Sequence, residues 1–134
     1  MAKQYRAREG EATAVDTKSQ LTTLGSETAP GPLLVPAGCT KLSEIIVAAA
    51  AQIAAATGCS LFIRLEGPGL PDGPETLTVG AGAAAVATGS VVTIPASKIR
   101  LDLPVVATNE ILVFGEMAGT DVTQASFGVS LAFE

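Results

Sequence analysis

The sequence contains no histidine and no tryptophan. Histidine is the commonest general base and metal ligand in proteins, and tryptophan is the strongest stacking side chain. Without them, the sequence argues against most hydrolases and most metalloenzymes.

Charged residues are also scarce, at 16% of the chain, and aromatic residues make up only 4%. Apolar residues make up 48%. A chain with so much apolar material is not intrinsically disordered. Its length of 134 residues is that of one domain with one core. We predict a single domain over residues 11–134.

Basic residues are few outside the first eight positions. The net charge is −5, with eight basic and thirteen acidic residues. Lys3, Arg6 and Arg8 precede the first acidic residue, so the remainder is strongly acidic and should repel nucleic acid. We predict that residues 1–10 form a flexible basic arm that contacts a neighbouring subunit or a polyanion through these three side chains. Nucleic acid would be bound only through this arm. The alternative is a terminus that merely aids solubility.

Long apolar segments are absent. The longest, Ile45 to Ala56, is interrupted by Gln52 and is shorter than the ~20 residues of a membrane-spanning helix. Glu9 and Glu11 stand where the apolar part of a secretory signal would follow the basic start. We therefore predict no membrane span and no secretory signal, so that the protein is made and kept inside a cell until it assembles.

Two cysteines, Cys39 and Cys59, match no zinc or redox spacing and are too few for a disulfide framework. We expect buried free thiols. A single bridge between them is the alternative.

Short alternating segments separated by proline and glycine turns are the main positive signal. In the final segment of the chain, Gln124 to Glu134, Phe127 and Phe133 share one face of the strand. We predict that this face points into the core. Such segments predict an all-β fold, an antiparallel two-sheet β-sandwich with a single jelly roll favoured. The clearest segments are Ser60 to Glu66, Glu75 to Gly80, Val91 to Ile94, Lys98 to Leu103, Asn109 to Met117 and Gln124 to Glu134.

Residues 41–57 have two interpretations. Lys41, Glu44 and Gln52 are spaced along one face of a short helix, with Gly58 at its C-terminal end. The β-branched run Ile45 to Val47 favours a strand instead. Both alternatives stay open at the level of sequence.

The sequence contains no pattern of residues that is typical of a catalytic site. Lys18, Lys41 and Lys98 each lie near a serine in the sequence, but such adjacency is common by chance. The glycine and alanine run from Gly80 to Gly89 lacks the lysine and the helix of a phosphate-binding loop. We predict no catalytic, cofactor or metal site, and we do not expect an enzyme. The thirteen acidic residues are expected to be solvated surface charges.

The basic start, the segments LVPAGCTKLSEIIV, SLFIRLEGPGLP and IRLDLPVV, and the final ASFGVSLAFE together resemble small single jelly-roll proteins of virus particles. The resemblance is one of strand rhythm and layout. It implies a fold, synthesis in the cytoplasm of a host cell and a location in the virion, and it assigns no functional residues.

Low charge with high apolar content leaves little polar material to cover the surface, and uncharged patches normally contact a partner. We predict a structural assembly protein, a capsid, decoration or spike component of a virion. It would form a homo-oligomer, a trimer or higher, and contact other virion proteins. The alternative is a carbohydrate-binding or adhesin-like module. Because all four phenylalanines fall within strand patterns, the sequence disfavours an exposed aromatic sugar platform.

Overall fold

A computed structural model describes residues 2–22, 31–53, 60–81, 91–119 and 122–134. It describes the side chains of these residues except at 80, 81 and 93–96. Within these ranges the chain forms strands and no helix, which confirms the predicted all-β sandwich. The strands are β1 (Gln4–Ala12), β2 (Ser19–Gln20), β3 (Leu33–Leu34), β4 (Lys41–Ile53), β5 (Ser60–Glu66), β6 (Glu75–Ala81), β7 (Val91–Pro104), β8 (Glu110–Ala118) and β9 (Val122–Phe133).

The strands pair from the two ends of the chain inwards. β1 pairs with β9, β2 and β3 pair with β8, β4 with β7, and β5 with β6, all antiparallel. Further pairing gives one sheet of order β1-β9-β4-β7 and a second of order β2-β8-β5-β6, with β3 also on β8. A long hairpin that folds over itself into two sheets is the jelly-roll arrangement.

The core lies between the two sheets. Phe127 and Phe133 on β9 are both buried, as predicted, because alternate residues of a strand point to opposite faces. Gly115 on β8 lies opposite Phe127: a Cβ atom there would approach the ring to 2.5 Å. The small residue on one sheet therefore makes room for the large one on the other.

The structure decides between the two interpretations of residues 41–57. Lys41–Ile53 is the long strand β4, paired with both β7 and β9, so the helical alternative is wrong over this range. Residues 54–57 lie outside the described part of the chain. Ile45 and Val47 point into the core, and a position between two long strands satisfies the backbone on both sides. That tertiary pairing outweighs the helix preference of alanine.

Pro95 does not divide the chain into two strands as the sequence suggested. β7 runs continuously from Val91 to Pro104. The register with β4 shifts near Pro95, between Val47 and Ala49 of β4. β7 also lies at the edge of its sheet, and bulges and edges are the places where a strand tolerates proline.

The N-terminal segment differs from the flexible arm expected over residues 1–10. Gln4–Ala12 is strand β1, paired along its whole length with β9, from Gln4 opposite Phe133 to Ala12 opposite Ala125. Three basic residues suggested a solvated tail. The deciding factor is the edge of β9, whose backbone groups need hydrogen-bond partners that β1 supplies.

Cys39 is a buried free thiol, and it accepts a hydrogen bond of 3.7 Å from Nε2 of Gln4. Cys59 lies outside the described residues. No helix long and apolar enough to cross a membrane is found in the part of the chain that the structure describes.

Candidate functional site

The side of the β1-β9-β4-β7 sheet that faces away from the core carries the most distinctive arrangement of side chains. We call it the outer face. Its residues lie in rows across the four strands, as the strand register requires. One row holds Tyr5, Ala132, Glu44 and Arg100, and the next holds Ala7, Ser130, Ile46 and Lys98.

Glu44 is buried although it belongs to this outer face. It is only 2% exposed, and a register irregularity between Leu42 and Glu44 marks its place in β4. The Tyr5 hydroxyl donates a hydrogen bond of 3.3 Å to its Oε1. The Nζ atoms of Lys3 and Lys98 lie 3.2 and 3.3 Å from its Oε2. The carboxylate thus joins strands β1, β4 and β7 across the sheet.

The ionisation of Glu44 depends on those lysines. Burial opposes the charged form, but hydrogen bonds and charge attraction from Lys3 and Lys98 outweigh it, so the pKa of Glu44 is held below its ordinary value. Glu44 is therefore an anion at neutral pH, and it fixes the two ammonium groups in place.

Ala132 explains how Tyr5 reaches Glu44. In the register, Ala132 of β9 lies between them and pairs with both. Its methyl group is fully buried and leaves space for the tyrosine ring to pass over the strand. A larger side chain at this position would block the contact between β1 and β4.

Glu44 lines a cavity of about 260 Å³. We call this cavity the basic pocket. The Nζ atom of Lys41, which lines this pocket, lies 3.4 Å from Oε2 of Glu134 and 3.8 Å from Oδ1 of Asp102. Four cationic and two anionic side chains contribute to its lining, so the pocket is positive in an acidic protein. The lining residues are Lys3, Lys41, Ser43, Glu44, Lys98, Arg100, Leu101 and Glu134.

A second, shallower cavity of about 220 Å³ lies at the centre of the outer face. We call it the central groove. Apart from Arg8 and Glu9 on β1, its lining is small or apolar. The lining residues are Ala7, Arg8, Glu9, Ile46, Ala48, Gly128, Val129 and Ser130.

The three predicted contact residues do not form one basic surface. Lys3 enters the basic pocket, whereas Nη1 of Arg6 donates to the carbonyl of Tyr5 at 2.8 Å. Nε of Arg8 donates to the carbonyl of Gly31 at 3.1 Å.

Sequence reasoning missed Glu44, Lys98 and Arg100 as members of the same site. The alternation of Lys98, Arg100 and Asp102 along one strand face was a usable signal. Their closeness to Lys3 depends on the tertiary pairing, which no local pattern contains.

The opposite surface, on the second sheet, carries two of the phenylalanines. Phe62 and Phe114 are partly exposed, because Ile63 and Val113 occupy the inward positions next to them. Lys18 Nζ lies 4.6 Å from the centre of the Phe114 ring and pairs with Glu66. All four phenylalanines do fall within strands, but these two lie on the outward side and leave aromatic surface partly exposed.

The lysines that lie near serines in the sequence are held by carboxylates: Lys18 by Glu66, Lys41 by Glu134 and Lys98 by Glu44. Among the described residues, no group of three or more potential metal ligands is close enough to hold an ion.

No known protein-family model matches the chain, and no curated protein matches it. Among solved structures, it is similar to the Gx strain of infectious bursal disease virus at 14% identity and a TM-score of 0.40, covering 98% of this chain and 32% of that one. For the VP2 subviral particle of the same virus the identity is 16% and the TM-score 0.37, covering 95% and 33%. The chain spans about a third of the length of these viral chains.

Proposed function

We propose that this protein is a structural subunit that acts by associating with other copies of itself, as a capsid, decoration or spike component of a virus particle. The observation that carries the proposal is the central groove on the outer face. Ile46, Ala48, Gly128 and Ser130 there are at least partly exposed, and none of them is charged. Such surfaces normally contact a partner.

The fold supports the same function. Two packed sheets give a rigid block whose long edge strands, β1 and β7, carry further exposed side chains. Tyr5 is 48% exposed and Val91 is 63% exposed. A rigid block with apolar side chains at its margins can form contacts in several directions, as an assembly larger than a dimer requires.

The mass of the purified protein in solution tests this proposal. We expect a trimer or a larger symmetric assembly at tens of micromolar by light scattering. Electron microscopy of the same sample would show closed shells for a capsid component and discrete oligomers for a decoration or spike component. A monomer at these concentrations would refute the proposal.

Phe62 and Phe114 favour a second candidate function, that of a carbohydrate-binding or adhesin-like module. Exposed aromatic rings are the surfaces on which sugar rings stack, and these two phenylalanines lie on an outer surface. A glycan array tests this alternative. Binding that is lost in Phe62→Ala while the fold is kept would favour it, and the absence of binding would reject it.

A further inference from the structure

We propose that the outer face binds the same face of a second copy, related to the first by a two-fold axis that passes over the central groove. This inference rests on the proposed function and names the interface that would serve it. It draws on the distribution of charge, on the composition of the groove and on the size of the face.

Charge is separated across the outer face. Glu9 and Glu11 lie on β1 beside Gly128 and Ser126 of β9. Lys98 and Arg100 lie on β7, at the other side of the sheet and towards its opposite end. The four cations of the basic pocket there outnumber the nearby carboxylates, which are those of Glu44, Glu134 and Asp102. The acidic and basic corners are therefore diagonally opposed, with the central groove between them.

This distribution is self-complementary. In an isologous pair, each residue contact occurs twice, because the same patch is used by both copies. With a two-fold axis in the plane of the interface, the acidic corner of each copy can lie over the basic corner of the other copy. Oppositely charged patches that meet in this way fix the orientation of the partners and speed their encounter.

The groove between the corners suits close contact. Removing a charge from water without a partner is costly, and Ile46, Ala48 and Gly128 carry none. Ala48 and Gly128 are small, so another sheet can approach the floor of the groove closely, whereas Arg8 and Glu9 line its β1 side. The centre can therefore be desolvated while the charges remain at the rim, which is the usual anatomy of an interface.

The face is large enough for such a contact. Four strands about 4.8 Å apart, each contributing about nine residues at about 3.4 Å, give roughly 600 Å² per copy when the whole face is covered. The total of about 1,200 Å² is at the lower end of specific interfaces. This area suits one contact among several in an assembly.

A second copy fits the face better than a nucleic acid does. A polyphosphate partner requires clustered cations, whereas Glu9 and Glu11 would repel it from one half of the surface. Only a partner with both signs of charge in the matching places complements the whole face, and the protein itself is such a partner.

Gly128→Arg is the sharpest test. Among the described residues, a Cβ atom at position 128 comes within 4 Å of the Ala48 carbonyl oxygen alone, at 3.9 Å, so the substitution fits the subunit and projects from the groove. The matched control is Thr76→Arg, which adds the same charge to an exposed strand position on the second sheet. Ala48→Arg, also at an exposed position, serves as a second variant if Gly128→Arg fails to fold.

A charge exchange tests the orientation. Arg100→Glu and Glu11→Lys should each weaken association, because like charges then face each other across the interface. The double variant should regain it, since opposite charges would again meet at positions 11 and 100 of the two copies. Glu11 accepts an exposed hydrogen bond of 2.9 Å from Gln124 within its own subunit, so its reversal removes no buried contact and should leave the fold intact.

Sedimentation velocity of the full chain provides the measurement. We expect Gly128→Arg to weaken the association at least tenfold, while Thr76→Arg behaves as the wild type does and both keep the wild-type circular dichroism. If the wild type assembles and Gly128→Arg assembles equally well, or if the double charge variant stays as weak as the single ones, the two-fold contact is refuted and the proposed function stands. If the wild type is a monomer, the proposed function itself is refuted.

Discussion

Individual residues in this protein take their roles from the face of the strand on which they lie. Phe133 and Phe62 are chemically identical, yet one is fully buried and the other lies on an outer surface with partial exposure. Glu44 shows the reverse case, a charged residue that is buried because three side chains from outside its own strand satisfy it. Residue type alone therefore does not indicate which substitutions are costly.

Phe133→Ala should lower the free energy of unfolding by roughly 3–5 kcal/mol, because it leaves a cavity that the core cannot close. Phe62→Ala should cost only about 1 kcal/mol, since water can occupy the space of a partly exposed ring. Urea denaturation of both variants measures the difference. Equal losses would contradict the assignment of Phe62 to an outer surface.

Glu44→Gln should lower the melting temperature at neutral pH, because the buried amide no longer balances Lys3 and Lys98. The pKa of Glu44 is lower in the folded state than in the unfolded state, so its contribution is complete above the unfolded pKa. It is lost as the pH falls through the folded pKa. Melting curves from neutral to acidic pH should show the wild type and the variant converging at the acidic end. A constant gap would show that the carboxylate charge has no such role.

At the level of elements, β1 is the strand that contributes most to the candidate site. It brings Lys3 and Tyr5 to Glu44, and it carries Glu9 and Glu11 to the acidic corner of the outer face. It also covers the edge of β9. A segment that looks like a charged tail in the sequence is thus part of the sheet and of the candidate interface.

Deleting residues 2–10 should destabilise the isolated subunit by roughly 3 kcal/mol or more, since several backbone hydrogen bonds worth about 0.5–1.5 kcal/mol each are lost with the strand. Arg6→Gln keeps β1, removes an exposed charge and an exposed hydrogen bond to the Tyr5 carbonyl, and serves as the control. Thermal unfolding compares the two. A deletion variant as stable as the wild type would restore the flexible-arm interpretation.

For the molecule as a whole, the jelly roll makes its stability depend on contacts between distant parts of the chain. Gln4 pairs with Phe133 and Ala12 with Ala125, so the two ends of the chain lie in neighbouring strands of one sheet. The outer face itself is assembled from β1, β4, β7 and β9, which no short fragment contains.

Refolding should accordingly be slow for a domain of this size, in the range of milliseconds to seconds, because sheets with distant pairings close large loops before they gain contacts. Stopped-flow dilution from urea at low protein concentration measures the rate. Folding in microseconds would be inconsistent with this topology.

The sequence by itself determined the fold class, most of the strands and the inner face of β9, because alternation of side chains is a local property that the chain carries in any context. It also indicated a protein of low charge without histidine or tryptophan. It left helix or strand open at residues 41–57 and placed the basic start in a tail. The tertiary structure decided those points, since hydrogen bonds between strands far apart in the chain determine whether a segment is a strand. The same pairing brings Lys3, Glu44 and Lys98 within reach of one another, which no spacing along the sequence could show.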